Sequence, residues 1–115
     1  MTGPPPEVVA LVPDLMDRSR ISAAVAGVRF VADADALSEA VGAAPGAVAL
    51  VDLGRPHALE AGRRLVATGT RVVGFVAHVD CALLTAADAA GIEALPRSRA
   101  FRSLPTLLAP PSPRG

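Results

Sequence analysis

Lysine is absent from this sequence, as are asparagine, glutamine, tyrosine and tryptophan. Without lysine the chain has no side-chain amine for Schiff-base chemistry and no side-chain ammonium to sense a phosphate. The single cysteine, Cys81, excludes an intramolecular disulfide framework and a cysteine-based metal cluster. No uninterrupted apolar run reaches the length of about 18 residues that suggests a membrane helix. The start, MTGPPPEVV, has no basic segment followed by an apolar core, so no signal peptide is expected and a cytoplasmic location is the default. Neither GxxxxGK[ST] nor a GxGxxG after the first apolar run occurs, which counts against nucleotide binding. Charge of one sign is missing too: 11 basic residues, all arginine, balance 11 acidic ones. The chain therefore has no general attraction for nucleic acid or an anionic membrane. Its aromatics are Phe30, Phe75 and Phe101, all in apolar settings, so no platform for stacking single-stranded bases is expected.

An apolar fraction of 51% is enough for a real core, and a length of 115 residues fits one domain. We expect that domain to span 1–115 with its core over about 7–108, because the ends 1–6 and 109–115 are proline-rich and cannot sustain helix or inner strand. Between them lie five short apolar runs: EVVALV (7–12), VRFVA (28–32), AVALVD (47–52), RVVGFVA (71–77) and IEALP (92–96). Valine-rich, nearly continuous runs indicate strands covered on both faces, as in a parallel sheet. The intervening segments carry helical spacing: Ile21, Ala24, Val25 and Val28; Leu37, Ala40, Val41 and Ala44; Leu59, Gly62 and Val66; Leu83, Ala86, Ala87 and Ala90. Asp33 or Asp35 and Asp80 are placed to cap helix starts, and Gly27, Gly69 and Gly91 to end helices. A fifth helix near 99–108 is interrupted by Pro105. The result is an α/β class (βα)5 fold, a doubly wound five-stranded parallel sheet of expected order 2-1-3-4-5. Any ligand site then lies above the carboxyl ends of strands 1 and 3.

Pro13-Asp14, Asp52 and Val76-Ala77-His78 converge at those ends. With VVALVPDLMDRSRI, ALVDLG, VVGFVAHVD and AAGIEALPRS in this order, the chain resembles the receiver domains of response regulators, over roughly 7–108. The resemblance implies a CheY-like flavodoxin-type fold. It also implies an acidic pair and an aspartate that hold Mg2+, the aspartate accepting phosphate, with a hydroxyl after strand 4 and a lysine after strand 5. Clustered carboxylates suit that chemistry because Mg2+ is a hard, oxygen-seeking ion. Carried across, Asp52 matches the phosphoacceptor and Gly54 the residue completing a metal site of Asp14, Asp52 and Gly54. Pro13 stands in place of one acid. Val76, or Ala77 with a slip of one, replaces the hydroxyl, and Arg97 lies nearest the missing lysine. No resident cofactor is expected, Mg2+ being the one candidate that the resemblance leaves.

Plainer roles stand beside these. Asp52 could cap the following loop, Asp14 could serve the start of a helix, and Asp17, three residues on, is more simply a first-turn helix acid than a metal ligand. His78 could titrate near neutrality or face solvent; His57 reads as a loop residue, and Cys81 as a small, partly buried side chain. We expect Arg97 to contact Asp52 or Asp14. An apolar patch of Phe101, Leu104 and Leu107, rimmed by Arg97, Arg99 and Arg102 with Asp80 and Asp88 on the neighbouring helix, is the expected interface for a protein partner or a homodimer; the plainer alternative is that Phe101 and Leu104 pack on their own sheet. Three functions follow: a pseudo-receiver regulating by association, a phospho-receiver modified at Asp52, or a small flavodoxin-like enzyme or ligand-binding protein.

Overall fold

The computed structural model describes residues 7–77 and 80–108; the proline-rich ends and His78 fall outside them. Strands β1 (Val8–Leu11), β2 (Val28–Phe30), β3 (Val48–Asp52), β4 (Arg71–Val76) and β5 (Glu93–Pro96) form one parallel sheet in the order β2-β1-β3-β4-β5. Helices α1 (Leu15–Ala24), α2 (Ala34–Gly42), α3 (Ala58–Ala67) and α4 (Cys81–Ala89) alternate with them, and α5 (Arg97–Arg102) and α6 (Leu104–Leu107) follow β5. This is the expected (βα)5 architecture and strand order.

Alternation along each strand divides the core into two layers. Val8, Ala10, Leu50, Val73 and Phe75 face Ile21 of α1, Ala100 and Phe101 of α5 and Leu104 of α6. Val9, Leu11, Ala49, Val51, Val72 and Val76 face Leu37, Ala40 and Val41 of α2, Ala61 and Leu65 of α3 and Ala87 of α4. The central strands are buried except at Asp52, which ends β3, and Arg71, which opens β4, whereas β2 and β5, at the edges, are only half-covered.

Helix starts follow the expected chemistry. Asp33 accepts the Ala36 N–H at 2.8 Å and Asp80 that of Leu83 at 3.0 Å. Two spacings read from the sequence shift. The pattern from Ile21 to Val28 outruns α1, which ends at Ala24, and Val28 opens β2. In α3 the covered stripe is Ala58, Ala61, Gly62 and Leu65, leaving Leu59 and Val66 half-buried. Pro105 does not strip cover from the sheet. It sits in the first turn of α6, where its missing N–H costs nothing, so the chain turns and a second short helix lies down.

That turn overturns the expected interface patch. Phe101 is 7% exposed and Leu104 only 1%, and both belong to the core layer that β1, β3 and β4 share with α1. Arg99 and Arg102, on the outer side of α5, remain exposed. Cys81, expected to be partly covered, is exposed at the start of α4. No helix among the described residues is long and apolar enough to cross a membrane.

Candidate functional site

A cleft of about 540 Å³ opens at the carboxyl end of the sheet, lined by Pro13, Asp14, Asp17, Asp52, Arg55, Phe75, Ala77 and Arg97. It lies where the chain leaves β1 and β3 in opposite directions, the position expected of a site in a doubly wound sheet.

Asp52 ends β3 in register with Phe75 of β4. Its Oδ1 accepts the Gly54 N–H at 3.0 Å, closing a tight turn. Burial pushes the Asp52 carboxyl above its ordinary range, against the Gly54 hydrogen bond and the positive charge of Arg55; nearby Asp17 adds to the rise and Arg97 opposes it. Asp14 serves as the N-cap of α1: its Oδ1 accepts the Asp17 N–H at 2.9 Å, and the residue is exposed.

Asp17 is the buried acid of the site. It is 4% exposed, alone among the described polar or charged residues in being classed as buried. Arg97, at the first turn of α5, grips it: Nε donates to Oδ2 at 3.2 Å, and Nη2 donates to Oδ1. The expected partner of Arg97 was Asp52 or Asp14, and the structure corrects this to Asp17. The reason is helical geometry. One turn back from buried Ile21 on the inner face of α1 lies Asp17, whereas Asp14 is held at the helix mouth by its capping bond. The hydrogen bond to Asp17 raises the Arg97 pKa further, so its charge is permanent.

Aromatic contacts fix the guanidinium. Arg97 stands 4.9 Å from the centre of the Phe101 ring, and Arg20 of α1 stands 4.9 Å from the same centre. Phe101 in turn meets Phe75 edge-on, with 5.1 Å between centroids and 82° between planes.

Val76, expected in the pocket, is not there. It points with Val72 into the α2–α3–α4 layer, and the following residue, Ala77, lines the cleft. The side-chain period of two along β4 is the cause. Neither residue carries a hydroxyl. His57 caps the start of α3 in the left-handed region, at φ 62°, and makes no side-chain capping bond.

The receiver resemblance implies Mg2+, and the donors present do not fit it as arranged. Asp17 gives both carboxylate oxygens to Arg97, while Asp14 and Asp52 each have an oxygen engaged by a backbone N–H. Among the described residues no group of three or more His, Cys, Asp or Glu is placed to hold a metal ion. The signal that could have singled out Asp17 was present: Ile21 minus four places it on the inner stripe.

Five parallel strands in this order, with carboxylates at the ends of β1 and β3, define a receiver-type fold. Solved structures bear this out. The isolated receiver domain of RcsB from Salmonella enterica serovar Typhimurium is similar in its apo form, with TM-score 0.69 and 16% identity over 87% of this chain and 82% of that one. The same domain with the phosphomimetic BeF3− gives TM-score 0.72 and 16% identity over 87% and 83%. A response regulator receiver protein from Pseudoalteromonas atlantica gives TM-score 0.69 and 12% identity over 88% and 92%. No family model and no curated protein matches the sequence. At such identities the likeness establishes the fold, and function rests on the site.

Proposed function

We propose that this chain is a regulatory module on the receiver fold, a pseudo-receiver that acts by protein–protein association and does not require phosphorylation. The carrying observation is the Arg97–Asp17 pair: the cation that follows β5, where the lysine would stand, is committed to a buried carboxylate. A phosphoryl group on Asp52 would face Ala77, which offers no hydrogen bond. A ligand whose contacts do not differ between two states cannot shift their balance, and here little is left to make that difference. Among the described residues no complete nucleophile–base constellation lines the cleft, which favours a non-enzymatic role over a flavodoxin-like enzyme.

The partner is a protein, a second copy of the chain included. Leu15 and Met16, 76% and 77% exposed, project from the first turn of α1 beside Asp14. They replace the buried Phe101 and Leu104 as the apolar candidates for contact, with Arg99 and Arg102 as exposed charges on α5. Nucleic acid is disfavoured, because Phe75 and Phe101 are enclosed and Phe30 is half-buried beneath Arg18.

Incubation with acetyl phosphate and Mg2+, followed by intact-mass analysis, tests the reading. Little or no added phosphoryl mass is expected. Near-complete labelling, abolished by Asp52→Ala, would instead establish a working phospho-receiver. Sedimentation at micromolar concentration tests self-association: a dimer is expected, and Leu15→Ser with Met16→Ser should return it to monomer.

A further inference from the structure

Arg97 is built into the cleft from several sides. Its fork spends both Nε and Nη2 on the two oxygens of Asp17, across α5 and α1. Its guanidinium carbon stands over the Phe101 ring, which itself meets Phe75 of β4 edge-on and is shared with Arg20. Asp52 and Asp14 feel the same charge, since both contribute to holding Arg97 protonated. Two guanidinium groups, Arg55 and Arg97, therefore line a single cleft with three carboxylates, and Arg97 is the one hydrogen-bonded to a carboxylate there.

A divalent ion here would need a near-complete oxygen shell at about 2.0–2.1 Å. It would either draw on Asp14 and Asp52, each already holding a backbone N–H, or take Asp17 from the Arg97 guanidinium, and in both cases remain beside that fixed positive charge. We infer that Arg97 is a tethered counter-ion that takes the place of a divalent cation in this cleft, so that its carboxylates are balanced by a side chain and not by a metal. The inference rests on the reading of the cleft as one that works without phosphorylation. It goes further, in making the protein indifferent to Mg2+ and in assigning that indifference to one residue. A guanidinium cannot dissociate from its own chain, so this charge balance is independent of ionic conditions that would load or empty a metal site.

Mn2+ binding followed by electron paramagnetic resonance, with Mg2+ as competitor, supplies the test. The wild type is expected to show no saturable binding at this cleft, and millimolar Mg2+ should not move its Tm beyond what matched ionic strength does. In Arg97→Met the released Asp17 carboxylate is free to turn toward Asp52, and this variant is expected to bind one Mn2+, displaced by Mg2+, and to gain Tm in Mg2+. The double variant Asp17→Asn, Arg97→Met should lose both responses. Saturable Mn2+ binding by the wild type, abolished by Asp17→Asn or Asp52→Asn, would overturn the inference. So would a folded Arg97→Met that gains no binding. If Arg97→Met is unfolded without metal, refolding in Mg2+ is the positive result and failure to refold the negative one. Mn2+ binding by a wild type that acetyl phosphate does not label would sink the tethered ion and leave the regulatory reading standing. Labelling of a wild type that binds no Mn2+ would do the reverse.

Discussion

Two arginine–carboxylate pairs clamp opposite ends of the sheet. At the carboxyl end Arg97 of α5 holds Asp17 of α1; toward the other end Arg71 of β4 holds Glu93 of β5, with Nε to Oε2 at 2.8 Å and Nη2 to Oε1 at 3.0 Å. The arginines are equally exposed, at 34% and 30% of the side chain, but the acids differ, at 6% for Asp17 and 50% for Glu93. The same fork therefore does different work. Water can solvate Glu93 if Arg71 leaves, although the Arg71 Nη2 also reaches the Leu107 carbonyl at 2.6 Å and helps to seat α6. Asp17 has no such recourse. Burial of the acid, not the contact itself, sets what a pair is worth.

The largest effect should come from the ring beneath the buried pair. Phe101→Ala removes a core aromatic and the platform of Arg97 and Arg20 together, and should cost about 3–5 kcal/mol in urea denaturation. A loss below about 1 kcal/mol would return Phe101 to the surface role first expected of it.

Next is the buried pair itself. Arg97→Met should cost about 3 kcal/mol at neutral pH, because it strands a buried carboxylate, and Asp17→Asn in that background should recover most of the loss. Absence of recovery would mean that Arg97 stabilises through Phe101 and not through Asp17.

Arg71→Ala, the matching change at the other end, should cost about 1 kcal/mol or less. Here pH sharpens the contrast. The hydrogen bond from Arg71 holds the Glu93 carboxyl below its ordinary range despite partial burial. Its contribution is thus present above the unfolded pKa of about 4.3 and fades as pH falls through the lower, folded value. The Arg71→Ala deficit in chemical denaturation should shrink correspondingly in acid.

The smallest effect belongs to Asp52, whose carboxyl is shifted the opposite way, upward by burial. The folded state then holds this proton more tightly than the unfolded chain. Its contribution is full below the unfolded pKa of about 3.9 and is lost as pH rises through the folded value. Asp52→Asn should therefore stabilise the protein at neutral pH, by no more than about 1 kcal/mol for a half-exposed group, and the gain should vanish in acid. A destabilised Asn variant would mean that the Gly54 contact outweighs the burial of the charge.

Strand identity, strand order and the position of the cleft were legible in the amino-acid sequence alone. Valine-rich runs such as VVAL and VALVD can only be covered on both faces, and right-handed crossovers leave few ways to arrange five of them. Capping by Asp80 was legible because it is chemistry between residues three apart, while the choice between Asp33 and Asp35 was left to the structure, which takes Asp33. The partner of Arg97 was not. The pair spans 80 positions, and three acids stood within reach of the first turn of α5. Which one it meets depends on the rotation of α1 against the sheet, and that rotation turns Asp17 inward while Asp14 stays at the cap. Nor could spacing decide between Val76 and Ala77, because a one-residue step at the end of β4 exchanges a core side chain for a cleft wall. Local pattern determined the frame; packing between elements distant in sequence decided which charge is buried, and so what the cleft can hold.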